Sequence, residues 1–428
     1  MIRVAIALLL VVLAVPTSAG AADVVRERFD NGMVVLVREN PLAPVVALSL
    51  LVKSGVRWEK ADVAGISNFL TAVMVKGTMK RGGAEMAEAI AALGGKITAS
   101  GDVDYSEIRA SALARYWREM LVLTAELALD PKLAADEVDR ERELLVGRVQ
   151  RRRDNAPSRA FDEFYRALYS PHPYGLPTLG TPETIARIDR AALVARYRAF
   201  WQPERMALAV SGQVSAPEVI AEARRLFAGL LRGNASVDAP IPPPAVAVHR
   251  VVLEQPAQQA QIVVGGVAPA LDHPDHAAVK VLGSVLGGGM GGRLFAELRD
   301  RRGLAYAANT FYEPVREPGA LILYLGTAPE NVTAAEAALV AEIQRVRTTL
   351  VSAEELRRAK GYLLGAYESD RRTNARQAWY LAFYELAGVG LDYPERFRKA
   401  VAAVTAEDVR RVANQYLSSL TAVVLRPR

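Results

Sequence analysis

The sequence predicts two α+β domains of one design, each a mostly antiparallel β-sheet with helices packed on one face. Three observations carry that expectation. The chain has 428 residues, more than a single hydrophobic core usually serves. Its apolar pattern runs strands, a helix pair, strands, long helices and a closing strand, and then runs through that order again. Between the two passes lies Pro240-Ile241-Pro242-Pro243-Pro244, which can be neither helix nor central strand because proline lacks an N–H and fixes φ. The expected division is 1–22 as a signal peptide, 23–232 as the first domain, 233–247 as a linker and 248–428 as the second domain.

The first domain opens with Asp30-Asn31-Gly32 between apolar runs, a strong hairpin signal. Val45 to Lys53 is a further apolar strand, and Gly65 to Val75 and Glu85 to Leu93 have helical spacing. Strands follow at Lys96 to Ser100 and Tyr105 to Ala110. Long helical patterns then cover Ala114 to Leu129, Ala134 to Arg153 and Ser158 to Leu168, with a strand at Ala207 to Gly212. In the second domain, Arg250 to Gln255, Gln259 to Gly265 and Ala320 to Gly326 read as strands. Asp275 to Leu286, Ala334 to Thr348, Ala353 to Arg371 and Asn374 to Ala387 read as helices. The ends of the two passes align without gaps at an offset of 216: Ile188 to Val194 falls on Val404 to Arg410, and Met206 to Val210 on Ala422 to Arg426. Joined to the shared order of elements, that match indicates an internal duplication.

Composition narrows the function classes. Hydrophobic residues are 51% and charged residues 23%, ordinary for a globular chain. The net charge of +6 is spread along the chain, apart from Arg151 to Arg153 and Arg299 to Arg302, without the dense basic stripe and interleaved aromatics of a nucleic-acid binder. There is no cysteine, so no disulfide forms and no lipid is attached through one. Met1-Ile2-Arg3, the apolar run Val4 to Val15 and the small residues Ser18 to Ala22 form a signal-peptide pattern. Elsewhere no apolar run reaches membrane-spanning length. A secreted protein, most readily of a bacterial periplasm, is expected.

One stretch is a frame without its chemistry. Gly65 to Thr78 has the layout of a helix followed by a Gly-Thr turn, yet it holds no histidine and no acid. Further landmarks, in order, are Lys53-Ser54-Gly55-Val56-Arg57-Trp58-Glu59, Asp154-Asn155-Ala156-Pro157, His172-Pro173-Tyr174-Gly175 and Gly180-Thr181-Pro182-Glu183. Leu286-Gly287-Gly288-Gly289-Met290 and Leu298 to Tyr306 complete the series. Taken together, these resemble the short pitrilysin/insulinase-type zinc peptidases with two homologous domains per chain, such as mitochondrial processing peptidase subunits.

That resemblance implies a zinc helix with His-x-x-Glu-His, two histidines gripping the ion and the glutamate activating water. Here Asn68, Thr71 and Ala72 stand at the three positions. The family's remote glutamate ligand, 76 positions on from the second histidine, falls on Arg148. Asn, Thr and Ala offer Zn²⁺ no good ligand, and an arginine repels it. The resemblance therefore implies a chain that carries no metal or other cofactor and does not hydrolyse peptides alone. Zinc is expected only in a partner, a homologous zinc-bearing subunit, with unfolded peptides as substrates. Arg299 and Tyr306, seven residues apart, match the family's substrate-binding arginine–tyrosine pair. Their plainer reading is a solvated helix residue and a strand aromatic. His273-Pro274-Asp275-His276 could clasp an ion, but Asp275 before an apolar run reads as a helix N-cap. Gly287 to Gly292 follows a helix and lacks a Gly-Lys-Ser/Thr ending, so it reads as a connection and not as a phosphate loop. The alternative function is a structural or peptide-binding protein that keeps the fold with no part in catalysis.

Overall fold

A computed structural model describes residues 24–233, 241–244 and 249–428. The expected signal peptide, 1–22, lies outside the described residues, as does most of the expected linker, 233–247.

Strands β1 (Val24–Arg28) and β2 (Val34–Glu39) form the opening hairpin. Only Gly32 takes a positive φ, 93°, whereas both turn residues were candidates. The Asn31 side chain instead accepts from the Met33 amide and donates to Phe227 O at 2.8 Å, fixing the turn against the body of the half. The chain continues through β3 (Val45–Val52), α1 (Ile66–Met74), α2 (Gly83–Ala92), β4 (Lys96–Gly101) and β5 (Ser106–Leu113). Five helices follow: α3 (Trp117–Leu129), α4 (Ala135–Asp154), α5 (Ala156–Tyr169), α6 (Pro182–Arg187) and α7 (Arg190–Phe200). Strand β6 (Met206–Gly212) and helix α8 (Ala216–Phe227) end the half.

The second half contains β7 (His249–Gln255), β8 (Ala260–Ala268), α9 (His276–Gly287), a π-helical turn at Leu294–Arg301, β9 (Ala307–Phe311) and β10 (Gly319–Thr327). Helices α10 (Val332–Thr348), α11 (Ala353–Asp370), α12 (Asn374–Ala387), α13 (Tyr393–Ala403) and α14 (Ala406–Tyr416) lead to β11 (Thr421–Pro427). Strand β9, the π-helical turn and the short helix α6 are too brief or too irregular for periodicity to register.

Duplication is visible in the sheets. The first has the order β1-β2-β6-β3-β5-β4 and the second β7-β11-β8-β10-β9. With β1 set aside, these are one topology, including the single parallel pair, β2–β6 in one half and β7–β11 in the other. Helices α7 and α14 sit at the 216-residue offset read from the sequence.

Each half packs its own helices on one face of its sheet, and the other face is not left bare. Val35, Val37, Leu48, Leu50 and Val210 point into the first half's own helical core. Their neighbours Val34, Leu36, Leu51, Ala207 and Ala209 pack with the second half. What covers them is α12, whose Asn374 is pinned to β3 by donating to Val45 O and accepts from Asn40 Nδ2 at 2.7 Å. The exchange is reciprocal. Helix α5, the counterpart of α12 in the repeat, lays Phe164, Leu168 and Tyr169 on Val263, Ile322, Val423 and Leu425 of the second sheet. Strands buried on both faces need not alternate, which explains seven consecutive buried residues in β3.

Candidate functional site

Helix α1 is held rigidly. Gly65, at φ 91°, starts it, and a Cβ there would fall 2.6 Å from Gly180 N, so only glycine allows the two backbones to meet. Glu59 takes the role of a cap: Oε2 accepts from Gly65 N at 2.7 Å and Oε1 from Ser67 N at 3.0 Å. A buried arginine from α7, Arg196, donates to Ser67 Oγ, Gly55 O and Trp58 O, and burial lowers its pKa to about 10. From α4, Arg142 lies over the Phe69 ring at 5.2 Å and donates to Ile185 O and Ile188 O.

Three of the four degenerate positions, Asn68, Thr71 and Arg148, are engaged in other interactions. Asn68 Nδ2 donates to Thr178 O at 2.7 Å and Gly101 O at 3.0 Å, and its Oδ1 accepts from Gly101 N at 3.2 Å. One side chain thus ties α1 to the end of edge strand β4 and to the 178–180 loop. Thr71 is buried and its hydroxyl donates back to Ser67 O and Asn68 O. Ala72 carries no donor atom. Arg148 reaches Glu141 at 3.3 Å, and Lys76 reaches the same buried carboxylate at 2.7 Å.

These residues do not fit a zinc ion. The amide of Asn68 is saturated, Thr71 satisfies the helix backbone, and two cations face the one carboxylate present. Among the described residues no group of three or more His, Cys, Asp or Glu side chains is placed to hold a metal.

The second candidate pair has the opposite character. Arg299 lies on the π-helical turn, exposed, with its guanidinium over the Phe295 ring at 4.6 Å. Its side chain makes no hydrogen bond or ion pair among the described residues. Tyr306 is 63% exposed, while its amide donates to Gly326 O and so extends the β9–β10 ladder. Among the described residues, no hydrogen bond, ion pair or ring contact joins this pair to the α1 positions. Gly287 to Gly292 is a compact turn: a Cβ on Gly289 would meet the Tyr362 ring at 2.8 Å, and one on Gly292 would meet Gly288 N at 2.7 Å.

The His-Asp-His segment corrects one detail. Asp275 stands at the start of α9 but does not cap it. Its carboxylate accepts from Arg411 at 2.6 Å and Tyr416 at 2.8 Å, partners on α14 that hold its pKa below the ordinary carboxylate range. His276 is buried at 2.9 Å from the Tyr312 hydroxyl, which itself donates to Pro269 O, so the proton between them sits on the histidine Nδ1. Burial, with Lys280 and His273 nearby, lowers the His276 pKa to about 3. Asp275 and His276 are thus internal packing, while His273 and Pro274 are exposed.

Comparison with known proteins agrees with this architecture. Residues 34–182 match the model of the insulinase family (peptidase family M16), and residues 187–363 match the peptidase M16 inactive domain. An uncharacterized zinc protease of Rickettsia bellii is 26% identical over 410 residues, covering 94% of this chain and 97% of its own. A protein of the same description from Mycobacterium leprae is 28% identical over 424 residues, covering 96% and 93%. Among solved structures, a protease from Helicobacter pylori superposes with a TM-score of 0.89 at 22% identity, over 95% of this chain and 100% of that one. A peptidase M16 inactive domain from Pseudomonas fluorescens gives 0.85 at 24% identity, over 95% and 98%. Among the described residues no helix is long and apolar enough to cross a membrane. The chain belongs to the M16 (insulinase) peptidase family, and where that family's zinc helix would stand it carries a helix without the metal-binding motif.

Proposed function

We propose that this chain is the non-catalytic subunit of a periplasmic zinc endopeptidase. It pairs with a zinc-bearing homologue, forms part of the chamber wall and supplies Arg299 and Tyr306 to the substrate. The observation that carries this reading is a contrast in saturation. Every polar group at the degenerate α1 positions is satisfied within the chain, while Arg299 and Tyr306 stay exposed with no side-chain hydrogen bond or ion pair among the described residues. An arginine donates to a peptide carbonyl or a developing oxyanion, and a phenol adds a second donor. The outer strands β4 and β9 each pair on one side only, which suits an unfolded peptide added as a further strand.

The test is to purify the chain alone and together with a zinc-bearing homologue, then measure zinc content and cleavage of a quenched peptide. The lone chain is expected to be zinc-free and silent, with turnover only in the mixture. Stoichiometric zinc and hydrolysis by the chain alone would overturn the proposal. The open β4 and β9 edges also suit the other reading, a peptide-binding protein outside any catalytic complex. Peptide capture by the lone chain, with no change in a homologue's turnover on mixing, selects that reading.

A further inference from the structure

A cavity of about 330 Å³ lies in the seam between the two halves. The β4–β5 turn contributes Asp102 to Tyr105, α5 contributes Tyr165 and Tyr169, α12 contributes Trp379 and Phe383, and the loop before β10 contributes Glu313. It therefore exists only because each half lends a helix to the other. Thr178 also lines it, so the cavity borders the loop that Asn68 ties to α1.

Its walls are aromatic. Trp379 and Phe383 stack at 4.8 Å, Tyr105 meets both edge-on at 6.1 Å, and Tyr165 stacks on Tyr169. The charges around them are only partly balanced, with Arg316 and Arg57 acting on Asp104 and Lys280 on Glu313 from nearby. Asp162 is neutralised by Arg152 through three hydrogen bonds of 2.7, 2.8 and 3.1 Å. Among the described residues, Asp102 accepts from the Val103 amide and the Tyr105 hydroxyl and from no other group. Asp104, buried, has the Tyr174 hydroxyl and the Arg316 amide. Glu313 is exposed, and neither it nor Asp102 or Asp104 makes an ion pair among the described residues. The Tyr165 hydroxyl has no hydrogen-bond partner among them either. Asp102 and Glu313 both line the cavity beside Tyr165, and burial, then these two carboxylates, push its pKa up to about 12.

An aromatic chamber with surplus carboxylates at its rim suits a cation on an apolar stem: the stem is desolvated against the rings, and the charge meets both π faces and carboxylates. We infer that this cavity binds an alkylammonium or guanidinium group, carried by a free amine or by a basic side chain of a peptide. The inference stands on the seam itself and does not depend on the zinc-bearing partner.

The experiment is calorimetric titration of the full purified chain with benzylammonium, 1-butylguanidinium and neutral benzyl alcohol. An acetylated, amidated Ala-Arg-Ala peptide and its citrulline counterpart complete the set. The cations are expected to bind at least tenfold more tightly than the neutral compounds. The Asp102→Asn/Glu313→Gln double variant is expected to lose at least tenfold of that affinity. Glu313→Gln alone, at an exposed residue without ion pairs, keeps the test alive should the double variant misfold, with a loss of about threefold expected. Tighter binding of the arginyl peptide than of butylguanidinium assigns the site to peptide side chains; the reverse order assigns it to free amines. Equal binding of cations and neutral compounds overturns the inference, as do affinities unchanged in correctly folded variants.

Discussion

Helix α1 in the first half and the π-helical turn in the second have opposite relations to their surroundings. Both stand at positions where relatives of the family are expected to do chemistry. At α1, Asn68 makes three hydrogen bonds and Thr71 makes two, and on α4 Arg148 is paired with Glu141. On the π-helical turn, the Arg299 guanidinium lies over the ring of Phe295 and makes no hydrogen bond or ion pair among the described residues. The difference shows that losing a metal site is not the same as leaving a hole. A vacated ligand position in a packed region must be refilled with groups that satisfy the surrounding carbonyls and amides, since each one left bare costs about 1–3 kcal/mol. An exposed arginine carries no such obligation, because water solvates it. Its availability is consistent with a role toward something outside the chain.

The largest expected effect probes how far the halves are independent at all. Phe164→Ala, in the exchanged helix α5, should cost about 3–5 kcal/mol, because it opens a cavity against the second sheet. Urea unfolding followed by tryptophan fluorescence should remain a single transition shifted as a whole. Two separated transitions would show that the exchanged helices do not couple the halves.

Asn68→Ala comes next, at about 2–3 kcal/mol, because Thr178 O, Gly101 O and Gly101 N all lose their partner. Ala72→His, on the same helix at a half-buried position whose native side chain makes no hydrogen bond to lose, should cost less than half as much. Equal costs would mean that Asn68 is not a tie and that the contrast drawn above is false.

A pH measurement separates α9 from its counterpart α1, which has no histidine. His276 is held near pKa 3, below the ordinary value near 6.5, so between those limits the unfolded chain binds more protons than the folded one. Stability from this group is therefore full above the unfolded value and falls as pH drops toward 3. Between pH 7.5 and 5 the wild type should lose roughly 1–2 kcal/mol more than His276→Asn. Parallel losses would show that His276 is not buried as a neutral ring.

The smallest effect on stability should come from Arg299→Ala, within about 0.5 kcal/mol of wild type. Its turnover in the mixed complex should nonetheless fall at least tenfold. A change in melting temperature with unchanged turnover would return Arg299 to the solvated surface.

Much of the fold could be read from residue patterns. The hairpin at Asn31-Gly32, the long helices and the duplication at an offset of 216 are local or periodic signals, and periodicity reports which face of an element is buried. Strand β9 and the π-helical turn were not legible: five residues cannot establish an alternation, and an i→i+5 turn breaks the helical period. Likewise Asp275 read as a cap, yet its carboxylate turned to Arg411 and Tyr416, partners more than 130 positions away.

For the candidate site, the sequence alone determined what is chemically absent. Asn68, Thr71, Ala72 and Arg148 rule out the zinc set by their identity, and no arrangement of the backbone gives them different donor atoms. Only tertiary structure decided what those residues do instead. It also decided that α5 and α12 cross to the opposite sheet and that an acidic, aromatic cavity opens where they do. The physical reason is one of range. Donor chemistry belongs to a single residue, whereas a hydrogen-bond partner, a covered face or a cavity belongs to segments brought together only when the apolar surfaces of both halves are buried at once.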